Sequence, residues 1–171
     1  ITGGGTGIGQ AAAWALQGDG WDVVVAGRRK EELDKTVAQA KSGGGRMLAV
    51  AADVTKQAEV KRLFAETKNA FGRLDFLFNN AGMGHPMIKV WEMPEALVHQ
   101  IVEINLKGAI FGSQVAIRGM MAQGGGHLYN MEGFGSNGRL RVGLSLYGTT
   151  KAGLRFLSRS LTKEMAGTPV K

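Results

Sequence analysis

A chain of 171 residues, 44% hydrophobic and 20% charged, has the composition of a globular protein, long enough to bury a core and too short for two ordinary domains. It has no cysteine, which excludes disulfides, thiol catalysis and thiolate metal sites, and no apolar run approaches the roughly 20 residues needed to cross a bilayer. The net charge of +7 is scattered along the chain rather than gathered in one basic run, which favours a solvated surface with a local phosphate site over a nucleic-acid interface.

Strand and helix patterns alternate, which predicts a parallel sheet with helices on both faces. Ile1-Thr2 reads as the stub of a first strand, so the chain is expected to be incomplete at its start. The glycine cluster Gly3-Gly4-Gly5-Thr6-Gly7-Ile8-Gly9 leads into a helix over 10–17 that Gly18-Asp19-Gly20 ends. Residues 21–26, with Val23-Val24-Val25 at their centre, form the continuous apolar run of a strand covered on both faces. A helix over 31–41, a turn at Gly43-Gly44-Gly45 and a strand over 47–51 follow. An amphipathic helix over 57–71 is stopped by Gly72, and 74–78 is the next strand. A long helical stretch over 94–121, a strand over 127–130 and a helix over 146–165 complete the pattern. No repeat or low-complexity linker interrupts it, so residues 1–171 are expected to form one domain.

Three groups of residues carry chemistry. Gly3 allows a tight turn off the strand, Gly7 lets backbone approach a phosphate, and Gly9 permits close packing. With Gly5, Thr6 and Ile8 they form the place where a dinucleotide's pyrophosphate rests on a helix N-terminus. Gly27-Arg28-Arg29 follows the second strand, where an acidic residue would bind the free ribose hydroxyls of NAD. Arginine instead offers a charged, planar fork to a 2′-phosphate, with no acidic residue expected there to repel it, and this predicts NADP(H). Finally, Tyr147 and Lys151 stand four apart at the start of a helix, so the ammonium shares a face with the phenol and is expected to lower its pKa.

With Asn79-Asn80-Ala81-Gly82 lying between the glycine cluster and the Tyr147/Lys151 pair, the chain resembles the short-chain dehydrogenases/reductases over essentially its whole length. The resemblance implies a Rossmann-type, doubly wound α/β fold and hydride transfer between a nicotinamide and a carbonyl or alcohol. It also implies further strands and a substrate lid beyond Lys171, so the chain is expected to be incomplete at both ends. It places Asp53, with Val54 beside it, at the adenine, although Asp53 is equally suited to cap a helix. It places Asn80, Ala81 and Gly82 along the adenosine ribose, and Lys151 on the nicotinamide ribose. Tyr147 becomes the proton donor and Asn105 the residue that holds a relay water; Asn105 read alone is also a polar residue that interrupts a helix to bind backbone.

One position departs from the family pattern. The serine expected before the tyrosine is absent: aligning from Asn130 lands on Gly133, and counting back from Tyr147 lands on Phe134. Ser136 is displaced by two or three residues, and Glu132 is read as a helper of loop structure. The segment Asn130-Met131-Glu132-Gly133-Phe134-Gly135-Ser136 is similar to the chlorophyll(ide) b reductase branch, which implies reduction of a 7-formyl group and a chloroplast location; otherwise the cytoplasm is expected. The partners expected are a small carbonyl or pigment substrate and further copies of the chain, joined through the two long helices. Contact with a membrane surface or a larger assembly stays open, as does a different class of protein, a cofactor-holding scaffold without catalysis. His85, His99 and His127 lack metal-ligand spacing, so no metal site is expected.

Overall fold

A computed structural model describes residues 1–171. Four parallel strands form its centre: β1 (Val23–Gly27), β2 (Met47–Ala51), β3 (Phe76–Asn79) and β4 (His127–Asn130). β1 pairs with β2 and β3 with β4, and the stub at Ile1-Thr2 joins the two pairs. The Ala26 N–H donates to the Ile1 carbonyl at 2.9 Å on one side, and the Thr2 N–H donates to the Phe78 carbonyl at 3.0 Å on the other. On the outer side of β4, Gly126 forms an isolated parallel bridge with Val170. The order β2, β1, stub, β3, β4 reverses direction at the stub, which is the switch point where open α/β sheets bind their ligands.

Helices α1 (Gly7–Gly18) and α2 (Lys30–Ala38) cover one face of β1 and β2, and α3 (Gln57–Phe71) covers the other. The alternation along β1 divides its side chains between them. Val23 and Val25 join Ala13 and Leu33 on the first face, while Val24 and Ala26 join Val50 and Leu63 on the second. Leu33 is 1% exposed, and burying a side chain of that size contributes about 1.5–3 kcal/mol. Under β3 and β4, Leu77 packs against Ala116 and Met120 of α5 (Gly108–Gln123) and against Met165, just past α6 (Ser145–Glu164). No helix is long and apolar enough to cross a membrane.

Several elements differ from the sequence-based bounds for tertiary reasons. The strand expected over 74–78 begins at Phe76, because the Gln123 side chain takes both backbone groups of Leu74. The helix expected over 31–41 ends at Ala38, since Gln17 accepts the Lys41 N–H and donates to the Lys41 carbonyl. The strand expected from Trp21 begins at Val23, because the Trp21 N–H still closes α1 on the Leu16 carbonyl. The long stretch over 94–121 is α4 (Glu95–Val102), a π-helical turn (Glu103–Lys107) and α5 in succession.

Candidate active site

The glycine cluster and the Asn79–Gly82 turn close on each other at the C-terminal ends of the strands. Thr2 Oγ1 accepts the backbone N–H groups of Asn80 and Ala81, each at 3.0 Å. The Asn80 amide donates to the carbonyls of Thr2 at 3.0 Å and Gly3 at 3.3 Å. A Cβ on Gly9 would lie 2.3 Å from the Gly3 carbonyl oxygen and 2.5 Å from the Asn80 amide nitrogen, so a side chain there would prise the two turns apart. Gly7 has φ +57 and nothing within 4 Å of a would-be Cβ, which leaves its backbone open to approach. No side chain caps the first turn of α1, so its N–H groups are available to an anion.

A cavity of about 220 Å³ opens at this point. Its wall brings together Gly3, Gly5 and Thr6 from the glycine cluster, Arg28 and Arg29 after β1, Asp53 and Val54 after β2, and Asn80, Ala81 and Gly82 after β3. Gly7, Ile8 and Gly9 lie in the first turn of α1 and do not line it, and Asn105, Tyr147 and Lys151 stand outside it. Five lining residues had no sequence signal: Glu32, Leu33, Ala52, Met83 and Ile104. Glu32 corrects the expectation that no acid stands near the arginines. Lys35, hydrogen-bonded to it at 2.8 Å, holds its carboxyl below the usual range, and Arg29 adds to the effect. Asp53 does not cap α3, whose N-cap is Lys56; its Oδ1 accepts the Thr55 N–H at 2.9 Å in a local turn. A larger cavity of about 430 Å³ lies between the N-terminal ends of β1 and β3 and shares no residue with this one.

The second cluster is built on α6 and the π-helical turn. Tyr147 is half-buried in the first turn of α6, and Lys151, 4% exposed, lies one turn on. The Lys151 ammonium donates to the Met131 carbonyl at 2.8 Å and lies 5.8 Å from the centre of the Tyr147 ring. Burial pushes the Tyr147 phenol up and the Lys151 ammonium down. In the chain alone the cation therefore does not lower the phenol, because desolvation wins and the charge is directed at Met131.

Asn105, 1% exposed, sits where the helix widens, a feature frequent at functional sites. Its Oδ1 accepts the Met83 N–H at 2.8 Å, and its Nδ2 donates to the Met83 carbonyl at 2.9 Å and to Thr150 Oγ1 at 3.3 Å. The side chain thus binds backbone and ties the loop after β3 to α6. Gly82 joins the two clusters: a Cβ there would lie 3.3 Å from Asn105 Oδ1 and 3.6 Å from Lys151 Nζ.

Of the two positions considered for the missing serine, Gly133 faces the phenol, because a Cβ on it would lie 2.5 Å from Tyr147 Oη. Phe134 is 40% exposed. Ser136 closes a turn back onto Gly133, and its carbonyl accepts from Arg155 at 3.4 Å, further along α6.

The family model for the short chain dehydrogenases matches residues 1–171. The chain is 34% identical over 172 residues to an uncharacterised oxidoreductase of Staphylococcus aureus (strain USA300), covering 100% of this chain and 72% of the relative. It is 35% identical over 167 residues to carbonyl reductase family member 4 of Xenopus laevis, covering 97% of this chain and 68% of that one. The crystal structure of a metagenomic short-chain oxidoreductase in complex with NADP superposes on it with a TM-score of 0.94 at 27% identity, covering 100% of this chain and 77% of the other. These matches, the parallel sheet and the two facing clusters lead to one conclusion: the chain belongs to the short chain dehydrogenase family and has its Rossmann-like α/β fold, that of an oxidoreductase.

Proposed function

We propose that the protein is an NADP(H)-dependent oxidoreductase that interconverts a carbonyl and an alcohol, with Tyr147 as the proton donor. The observation that carries this reading is the meeting of the two clusters at Gly82, where a recess of about 220 Å³ adjoins a buried ammonium and a buried amide, with the Tyr147 ring 5.8 Å from that ammonium. The residues present fit the cofactor. The Gly3–Gly9 turn leaves a cradle that side chains would fill, and Arg28 and Arg29 stand exposed on the cavity wall. Arg28 and Arg29 would hold a 2′-phosphate, Asp53 and Val54 the adenine, Asn80 to Gly82 the adjoining ribose, and Lys151 the nicotinamide ribose. The nicotinamide, when bound, supplies the hydride.

Everything else falls to the chain's own side chains. Tyr147 gives its proton to the substrate oxygen in reduction and takes it back in oxidation. Its pKa, raised by burial, keeps the phenol protonated at neutral pH, the form needed by an acid. Asn105 holds the Met83 loop against α6 and so fixes the wall between the two clusters. The NADP-bound neighbour and the carbonyl reductase relative support this choice of cofactor and reaction class.

Reduction of the 7-formyl group of chlorophyll(ide) b is the narrowest form of this reading, and the Asn130–Ser136 segment alone supports it. Assembly with further copies belongs to the same reading, supported by Phe156, which stands 75% exposed on α6. One observation favours a scaffold without catalysis, namely glycine in place of the family hydroxyl. NADPH consumption against aldehydes, ketones and chlorophyllide b separates these readings. Turnover of any of them supports a reductase, turnover of chlorophyllide b selects the pigment, and tight NADPH binding with a blank panel supports the scaffold.

A further inference from the structure

We propose that Gly133 is a positioning residue for Tyr147: the phenol oxygen occupies the space that a side chain at 133 would take, so a serine introduced there would displace the phenol rather than assist it. This inference rests on Tyr147 being the proton donor. A Cβ built on Gly133 lies 2.5 Å from Tyr147 Oη, about 0.9 Å inside the 3.4 Å at which ordinary contact begins. Backbone conformation is not what calls for glycine, because Gly133 is absent from the positive-φ positions. Space is.

The other neighbours have less freedom to give way. Lys151 Cγ and Cε press on the same point at 3.3 Å, and that side chain is held by its hydrogen bond to Met131 at 2.8 Å. The loop is pinned at one end by the Met131 N–H on the Asn79 carbonyl at 2.9 Å. Past Gly133 it is pressed onto α6, since a Cβ on Gly135 would lie 2.6 Å from Gly148 Cα. The free end of Tyr147 is therefore the part that moves. Burial acts alone in raising the Tyr147 pKa, with no hydrogen bond opposing it, which fits a phenol that has no hydroxyl partner in the loop. The substrate oxygen accordingly depends on Tyr147 without help from residue 133.

The test combines kinetics with a double-mutant cycle in the intact protein. Gly133→Ala and Gly133→Ser are each expected to lower kcat about a hundredfold, the scale of a misplacement of about 1 Å, with the KM for NADPH within about twofold of wild type. Gly133→Ala is expected to lower Tm more beside Tyr147 than in a Tyr147→Phe background, where the oxygen is gone and only the Lys151 contact remains. Gly133→Ser turning over at the wild-type rate or faster, or an equal Tm loss in both backgrounds, overturns the proposal. If Gly133→Ala alone does not fold, folding of the pair with Tyr147→Phe supports it and failure of the pair overturns it. Because Tm does not depend on turnover, a fully active Tyr147→Phe protein would sink the functional reading while the contact is judged separately.

Discussion

Gly9 and Gly133 both exclude a side chain, yet what a methyl group would strike differs. At Gly9 the obstacle is backbone, the Gly3 carbonyl oxygen at 2.3 Å; at Gly133 it is the tip of a side chain, Tyr147 Oη at 2.5 Å. A backbone obstacle leaves one permitted shape, so the proposed nucleotide end of the molecule is a rigid cradle set by glycines close together in sequence. A side-chain obstacle couples a loop to the proposed proton donor, so this end can be altered without breaking the fold. Binding should therefore fail when the first region is touched, and turnover when the second is.

The largest loss is expected from Gly9→Val. Overpacking against a fixed carbonyl costs about 1–3 kcal/mol of stability, and the cradle it deforms should no longer bind NADPH. Titration of the folded variant decides this, and unchanged affinity would reduce the glycine cluster to a simple turn. Replacing Arg28 and Arg29 together by Ala should weaken NADPH binding by about 1.5–3 kcal/mol and NADH binding much less; equal losses would remove the 2′-phosphate assignment. Glu32→Gln takes a carboxylate out of the cavity wall beside those arginines, so NADPH affinity should rise severalfold and fall back as salt screens the change. A drop in NADH affinity with none in NADPH would instead mean that Glu32 binds the ribose hydroxyls. Ser136→Ala should change kcat by less than about twofold, because the loop carries that residue toward Arg155 rather than toward the phenol. A loss as deep as that of Tyr147→Phe would place Ser136 in the serine's role.

Much of the fold was legible because its signals are local. The runs over 47–51 and 57–71 carry their own periodicity and stop signals, and they match β2 and α3 residue for residue. Where long-range side chains intervene, as Gln123 does at Leu74 and Gln17 at Lys41, no local pattern could show the boundary. The same divide runs through the site. Gly3, Thr6 and Arg28 follow strand ends and were found by spacing, and Asp53 and Asn80 through the family resemblance, whereas Glu32, Met83 and Ile104 reach the cavity only through packing. The four-residue spacing of Tyr147 and Lys151 was visible, but the direction of the phenol's shift was not. That direction depends on burial and on the Met131 carbonyl, which claims the ammonium.

The central claim is that Tyr147 moves the proton while a separate region holds the nucleotide, and Tyr147→Phe tests it most directly. Phe keeps the ring and removes only the hydroxyl. The expected result is NADPH affinity close to wild type, with kcat on a confirmed carbonyl substrate lower by about a hundredfold or more. A Tyr147→Phe protein that reduces that substrate at the wild-type rate would contradict the claim.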